Sequence, residues 1–336
     1  SVATPYWDNG AVVSAGAVTW GSGISGVSGI IGEQISLVGG STDDNIGAGF
    51  YPLANGNMVI YSTKWDNGTA IDAGAVTLMN ANNPISGKVS SSNSLVGTTT
   101  GDNIGTYIVP NIYGNYLVIS TTWDNGNVVD TGAVTFGSGT TGVTGAVTSS
   151  NSLVGTTAKD QVGNTFQVLP NGNFLVSSPL WDNGTAGVDA GAVTFINAKN
   201  PITGAVSSSN SLVGSKTNDL VGNIPSSILA NSNYLIKSRY WDNGSAVDAG
   251  AVTWGNGNTG ITGVLSSSNS LVGSKTNDLV GNYGVTVLSN GNYVLVTPVW
   301  DSSTIADAGA ITWGNGNTGI TGVISSSNSL VGTTAN

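Results

Sequence analysis

The 336-residue sequence predicts an all-β protein made of about six copies of one unit. Three observations predict it. The first is the stretch Trp65-Asp66-Asn67-Gly68, which returns at Trp7-Asp8-Asn9-Gly10, Trp123-Asp124-Asn125-Gly126, Trp181-Asp182-Asn183-Gly184 and Trp241-Asp242-Asn243-Gly244, with a worn copy at Trp300-Asp301-Ser302-Ser303. The second is Leu-Val-Gly, whose glycines fall at Gly39, Gly97, Gly155, Gly214, Gly273 and Gly332. Two markers on one beat of 58 to 60 residues identify a repeat of the size found in propellers, solenoids and arrays. The third is composition. Glutamate occurs once, at Glu33, good helix formers are scarce, and Val, Ile, Thr and aromatics favour strands, while 50 glycines with Asn and Ser supply turns.

The unit divides into four segments, clearest between Asp219 and Asn277. Segment A runs from Asp219 to Ala230 and segment B from Asn233 to Trp241. Segment C runs from Ala249 to Trp254, and segment D from Gly263 to Gly273. In the last copy Asn290-Gly291 joins A to B, and Asn-Gly between apolar runs is the strongest short hairpin signal. The Asp-Asn-Gly loop joins B to C, and Gly255 to Gly260 joins C to D. Four short strands with short turns predict an antiparallel meander with two apolar faces that cannot bury themselves alone. Six such sheets around an axis make a β-propeller of about six four-stranded antiparallel blades. The alternative is a β-solenoid. Against it stand the length of the unit and hairpins that reverse the chain. The expected units are 1–43, 44–101, 102–159, 160–218, 219–277 and 278–336 of a single repeat domain, 1–336. The first lacks segment A, which begins only at Asp44, Asp102, Asp160, Asp219 and Asp278.

Read from segment A, the unit resembles the FG-GAP repeat of integrin-alpha-type propellers. Asp278-Leu-Val-Gly281 stands where that family has its Phe-Gly step, Val296-Thr-Pro298 or Ser177-Ser-Pro179 where it has Gly-Ala-Pro, and Ala249 to Trp254 where it has Gly-x-Val-Tyr-Val. The unit is also similar to repeats of very large secreted bacterial haemagglutinin-like surface proteins. The resemblance implies the fold alone. Ser289-Asn-Gly-Asn292 is too short for the family's calcium loop and holds no carboxylate, so its calcium sites are not carried over.

The net charge is −10, with eight Lys and Arg, so no basic surface for nucleic acid is expected. The acidity belongs to the repeat: six Asp follow the marker Trp, five precede Ala/Thr-Gly, five open the Asp-x-Ile/Val/Leu-Gly step, and only Asp43 falls outside. With no Cys and no His, disulfides, thiol chemistry, Ser-His-Asp systems and His or Cys metal centres are excluded. No apolar run approaches a membrane span, so no membrane insertion is expected. Ser1 to Trp7 already lie inside a repeat, and a leader peptide would precede them.

Trp7, Trp65, Trp123, Trp181, Trp241 and Trp300 are expected as structural anchors with locally satisfied indole N–H groups; a ring of sugar-stacking platforms is the sharper alternative. The pairs Asp66/Asp72, Asp124/Asp130, Asp182/Asp189, Asp242/Asp248 and Asp301/Asp307 flank the B–C loop. They are candidates for Ca²⁺, the one cofactor considered, or for acid–base chemistry on glycosides. Turn capping is favoured over both, because Ser14 replaces the second Asp in the first unit. Four loops match G-x-G-x-x-G, as at Gly255 to Gly260, but no helix follows to receive a pyrophosphate, so they read as turns. The expected protein is a non-enzymatic structural or adhesive module, extracellular or on a bacterial cell surface. A lectin-like or calcium-dependent binding propeller is the alternative. The expected partners are a protein or glycan surface ligand, or a second copy through an incomplete blade.

Overall fold

The computed structural model describes residues 1–185 and 187–335, and they form strands and turns. The chain divides into two compact units, residues 1–163 with 203–205, and residues 164–202 with 206–336. The first holds the sheets of repeats one to three and the second those of repeats four to six.

The fifth repeat shows the plan. Ile224–Ile228 pairs antiparallel with Tyr234–Ser238, which pairs with Ala251–Gly255, which pairs with Leu271–Val272. The A–B hairpin holds in its turn through Leu229 N–H to Asn233 O at 2.8 Å. The fifth strand of this sheet comes from the following repeat: Gly322–Val323 adds in parallel, with Leu271 opposite Gly322 and Val272 opposite Val323. Five such parallel pairs occur, the others being Leu37 with Gly87, Leu95 with Gly145, Leu153 with Gly204 and Leu212 with Gly263.

The all-β reading and the six repeats, each with its own small sheet, stand. The propeller of four-stranded antiparallel blades does not describe these sheets. A propeller blade is a self-contained sheet, whereas here the first five sheets are mixed, each borrowing a parallel strand from the next repeat. The cause lies in segment D, which is two strands and not one. Between Gly263–Val264 and Leu271–Val272, Asn269 closes a turn: its Oδ1 accepts from Ser266 N–H at 2.9 Å and its Nδ2 donates to Val264 O at 2.9 Å. The early piece is thereby freed to reach the preceding sheet. Segment A also divides. Its opening Asp-x-Val-Gly step lies on the repeat before, as in the parallel bridge between Gly250 and Val280, and only the residues after it enter their own sheet.

Within each unit the core lies between consecutive sheets. Along strand Tyr234–Ser238, alternate side chains leave opposite faces. Tyr234 and Ile236 pack with Leu175, Val193 and Leu212 of repeat four. Leu235 packs with Val280, Tyr293 and Leu295 of repeat six. In the first unit Ile60 and Trp65 of repeat two join Val18 and Leu37 of repeat one in the same way.

Candidate functional site

The conserved chemistry of each repeat is a chain of backbone hydrogen bonds to Asp and Asn side chains. It starts at the Asp-x-Val-Gly step. Asp219 Oδ2 accepts from the N–H groups of Ser215 and Lys216 at 2.8 and 2.9 Å, and its Oδ1 accepts from Asp242 N–H at 3.0 Å. Asp242 Oδ1 in turn accepts from Asp248 N–H at 2.8 Å. The same relay links Asp44, Asp66 and Asp72, then Asp102, Asp124 and Asp130, then Asp278, Asp301 and Asp307. Asp182 accepts from Asp189 N–H at 2.8 Å, and Asp8 from Ser14 N–H at 2.8 Å.

The second Asp of each pair occupies left-handed backbone, with φ between 49° and 53° at Asp72, Asp130, Asp189, Asp248 and Asp307; Ser14 takes 51°. Asp tolerates this region better than most residues, which gives a backbone reason for its place. The carboxylates of a pair are close. Burial, and then the neighbouring charges of Asp182 and Asp242, push Asp189 and Asp248 above the ordinary value of 3.8. Burial also raises Asp44, Asp102, Asp219 and Asp278, against the opposing pull of their backbone N–H donors. Among the described residues no three acidic side chains converge as a metal site would require. Any cation at a pair would therefore draw on two carboxylates and loop carbonyls.

The Asn of the marker explains why the two sequence markers share one beat. Asn243 Nδ2 donates to Gly273 O, the Leu-Val-Gly glycine of its own repeat, at 2.8 Å, and Asn67 does so to Gly97 O at 2.8 Å. The marker tryptophans Trp65, Trp123, Trp181, Trp241 and Trp300 are buried, and Trp7 is half-buried. The burial of these five leaves no open ring face on them for stacking a sugar. The expectation of a locally satisfied indole is corrected: the Nε1 groups of Trp123, Trp181, Trp241 and Trp300 are buried without a hydrogen-bond partner.

A second relay is absent from the sequence reading. Asn57 Oδ1 accepts from Ala81 N–H of its own repeat at 3.0 Å, while Nδ2 donates to Gly139 O of the next repeat at 2.7 Å. Asn173 and Asn233 clamp Gly257 O and Gly316 O of their next repeats, both at 2.9 Å. The signal was present, since Asn57, Asn115, Asn173, Asn233 and Asn292 keep the period of the tryptophans, but an Asn beside Asn-Gly reads as a turn former.

The G-x-G-x-x-G loops are tight turns, closed by Gly260 N–H to Asn256 O and Gly319 N–H to Asn315 O, both at 2.8 Å. In the second unit the loop from Gly255 to Gly260 walls a cleft of about 370 Å³ beside the buried Phe195, lined by Asn197, Asn200, Asn210, Asn258 and Thr259.

The family described as Repeat of unknown function (DUF5650) matches this chain six times, over residues 2–48, 52–106, 111–164, 168–223, 228–282 and 287–336, and the chain belongs to that family. The second to fifth matches run from the A–B hairpin through the next repeat's Asp step, so Asp219 closes one match and Asp242, whose N–H it accepts, lies in the following one. The FG-GAP likeness stays one of short motifs. The chain is also similar to Outer membrane protein A of Rickettsia rickettsii, 27% identical over 272 residues, which is 77% of this chain and 11% of that protein. The chain thus spans about a ninth of that relative. The weak similarity is consistent with a surface-associated repeat protein of a bacterium.

Proposed function

We propose that this chain is a non-enzymatic module of a bacterial surface protein, a solenoid-like run of repeats within each compact unit that holds loops out from the cell for binding. The observation that carries the reading is where the carboxylates go. The Asp of the step accepts three backbone N–H groups in four of the repeats, and the Asp after each marker Trp accepts one. Groups committed to the backbone in every repeat serve architecture, and catalysis would need at least one repeat to depart from the pattern. The similarity to a rickettsial outer membrane protein supports the location. The Asp pairs, on this reading, hold no tight calcium. Thermal melts should coincide in millimolar Ca²⁺ and in EDTA, because a ligand of the native state alone must stabilise it; a rise of many degrees with Ca²⁺ would overturn this.

The cleft beside Phe195 favours a glycan as the ligand. Walls of side-chain amides suit a sugar, whose hydroxyls pair with Asn197, Asn200 and Asn258. A glycan array probed with and without EDTA tests both points. Binding that survives EDTA and falls in Asn258→Ala supports the lectin-like reading, and an array without signal removes it.

A further inference from the structure

The last sheet of the second unit has an uncovered face that repeats the shape of a covered one. In the fifth repeat, Val252 and Leu271 are buried, at 2% and 1% exposure. Their counterparts in the sixth, Ile311 and Leu330, are 44% and 75% exposed. What covers the fifth repeat is the Asp278-Leu-Val-Gly281 step. Asn277, Leu279 and Val280 donate their N–H groups to the carbonyls of Val247, Asp248 and Ala249 at 2.9, 3.1 and 3.1 Å. Val280 joins the apolar cluster with Val252 and Leu271. Gly250 makes room: a Cβ there would lie 2.3 Å from Val280 N.

The sixth repeat keeps every receiving part. Gly309 has the same left-handed backbone, φ 75° against 74° at Gly250, and no step crowds it. Gly332 N–H is bonded to Gly309 O at 3.0 Å, as Gly273 is to Gly250 O at 3.1 Å, so the platform is formed. The carbonyls of Ala306, Asp307 and Ala308 take no backbone donor among the described residues. Between them and the strand edge lies a mainly apolar groove of about 470 Å³ lined by Val296, Pro298, Ala308, Gly309, Ile311 and Leu330.

We propose that this groove is a docking site for an Asp-x-(Ile/Leu/Val)-Gly step of the same repeat type, supplied by a further repeat. The step's backbone N–H groups would meet the three carbonyls, its branched residue would fill the groove against Ile311 and Leu330, and its Asp would gather the N–H groups of Thr333 and Thr334, as Asp278 gathers those of Ser274 and Lys275. The geometry of the internal repeats carries this docking site, independently of the surface role proposed above.

The test extends the 336-residue chain after Asn336 with a copy of residues 278–291. The melting temperature should rise by roughly 2–3 °C, the scale expected when one strand-sized segment is added to a chain this long. The rise should vanish when the copied Val is replaced by Asp, and equally when the extended chain carries Ile311→Lys. An extension of scrambled sequence should give no rise. Ile311 is exposed, so Ile311→Lys alone should leave the unextended chain folded with an unchanged melting temperature. An equal rise from the scrambled extension, or no rise from the native one, would overturn the proposal. Concentration-dependent dimers of the unextended chain, abolished by Ile311→Lys and not by the native extension, would assign the groove to a second copy and overturn it also.

Discussion

Gly255 shows how single residues are fitted to their partners inside the repeat. It stands opposite Tyr234, and a Cβ would sit 2.2 Å from that ring. Gly137 and Gly314 face Tyr116 and Tyr293 in the same way. Where the position is large, as at Met79 and Ile196, the partner is Met58 or Phe174. The aromatic thus covers a glycine in the strand, filling the volume that a side chain takes elsewhere. Burial raises the hydroxyls of Tyr116 and Tyr234, and pushes that of Tyr293 up to about 12, so all three stay neutral. Gly255→Ala should destabilise by about 1–3 kcal/mol through overpacking, while Gly255→Ala combined with Tyr234→Phe should recover little, because the ring carbons, 2.2 Å from the added Cβ, stay in the way once the hydroxyl at 2.6 Å is gone. Denaturant unfolding of the two variants checks this.

At the scale of elements, repeats within a unit are coupled by parallel two-residue strands, by Asn clamps and by the Asp step that lies on the repeat before. Asn233 is buried and joins Gly257 N–H of its own repeat to Gly316 O of the next. Asn233→Ala should cost about 1–3 kcal/mol, the scale of a buried donor left unpaired. Hydrogen exchange should quicken at Gly257 before it does at Gly273, whose bond to Gly250 is untouched. Faster exchange at both alike would mean that the clamp does not act locally. The hairpins, the turns and the beat of the markers were legible in the sequence. Asn290-Gly291 closes a turn because Gly291 takes φ 83°, and the Trp-Asp-Asn-Gly loop closes likewise. The split of segment D was not legible. A two-residue strand such as Gly263–Val264 carries no alternation, and its partner lies in another repeat, so no local pattern announces it. The same blindness turned mixed sheets into antiparallel blades.

Across the whole chain, the role of the acidic residues was legible in outline, since Ser14 in place of an Asp already favoured turn capping. What the sequence hid was that the Asp of the step, and not the flanking pair, is the hub of the relay. The hub carboxyls are raised above 3.8 by burial. A folded value above the unfolded one means that the folded state binds more protons between the two. Stability should therefore climb as pH falls from neutrality through the folded values, and level off below 3.8. Relief of a net charge of −10 adds in the same direction. Melting temperatures that fall steadily from neutrality into this window would contradict the account. The most direct test is the unfolding of Asp219→Ala beside Asp219→Asn. Loss of the hub strands the N–H groups of Ser215, Lys216 and Asp242, so Asp219→Ala should lose about 3 kcal/mol, and Asp219→Asn, which keeps one accepting oxygen, should lose less. An Asp219→Ala chain as stable as the parent would show that the carboxylate does not hold the repeat together.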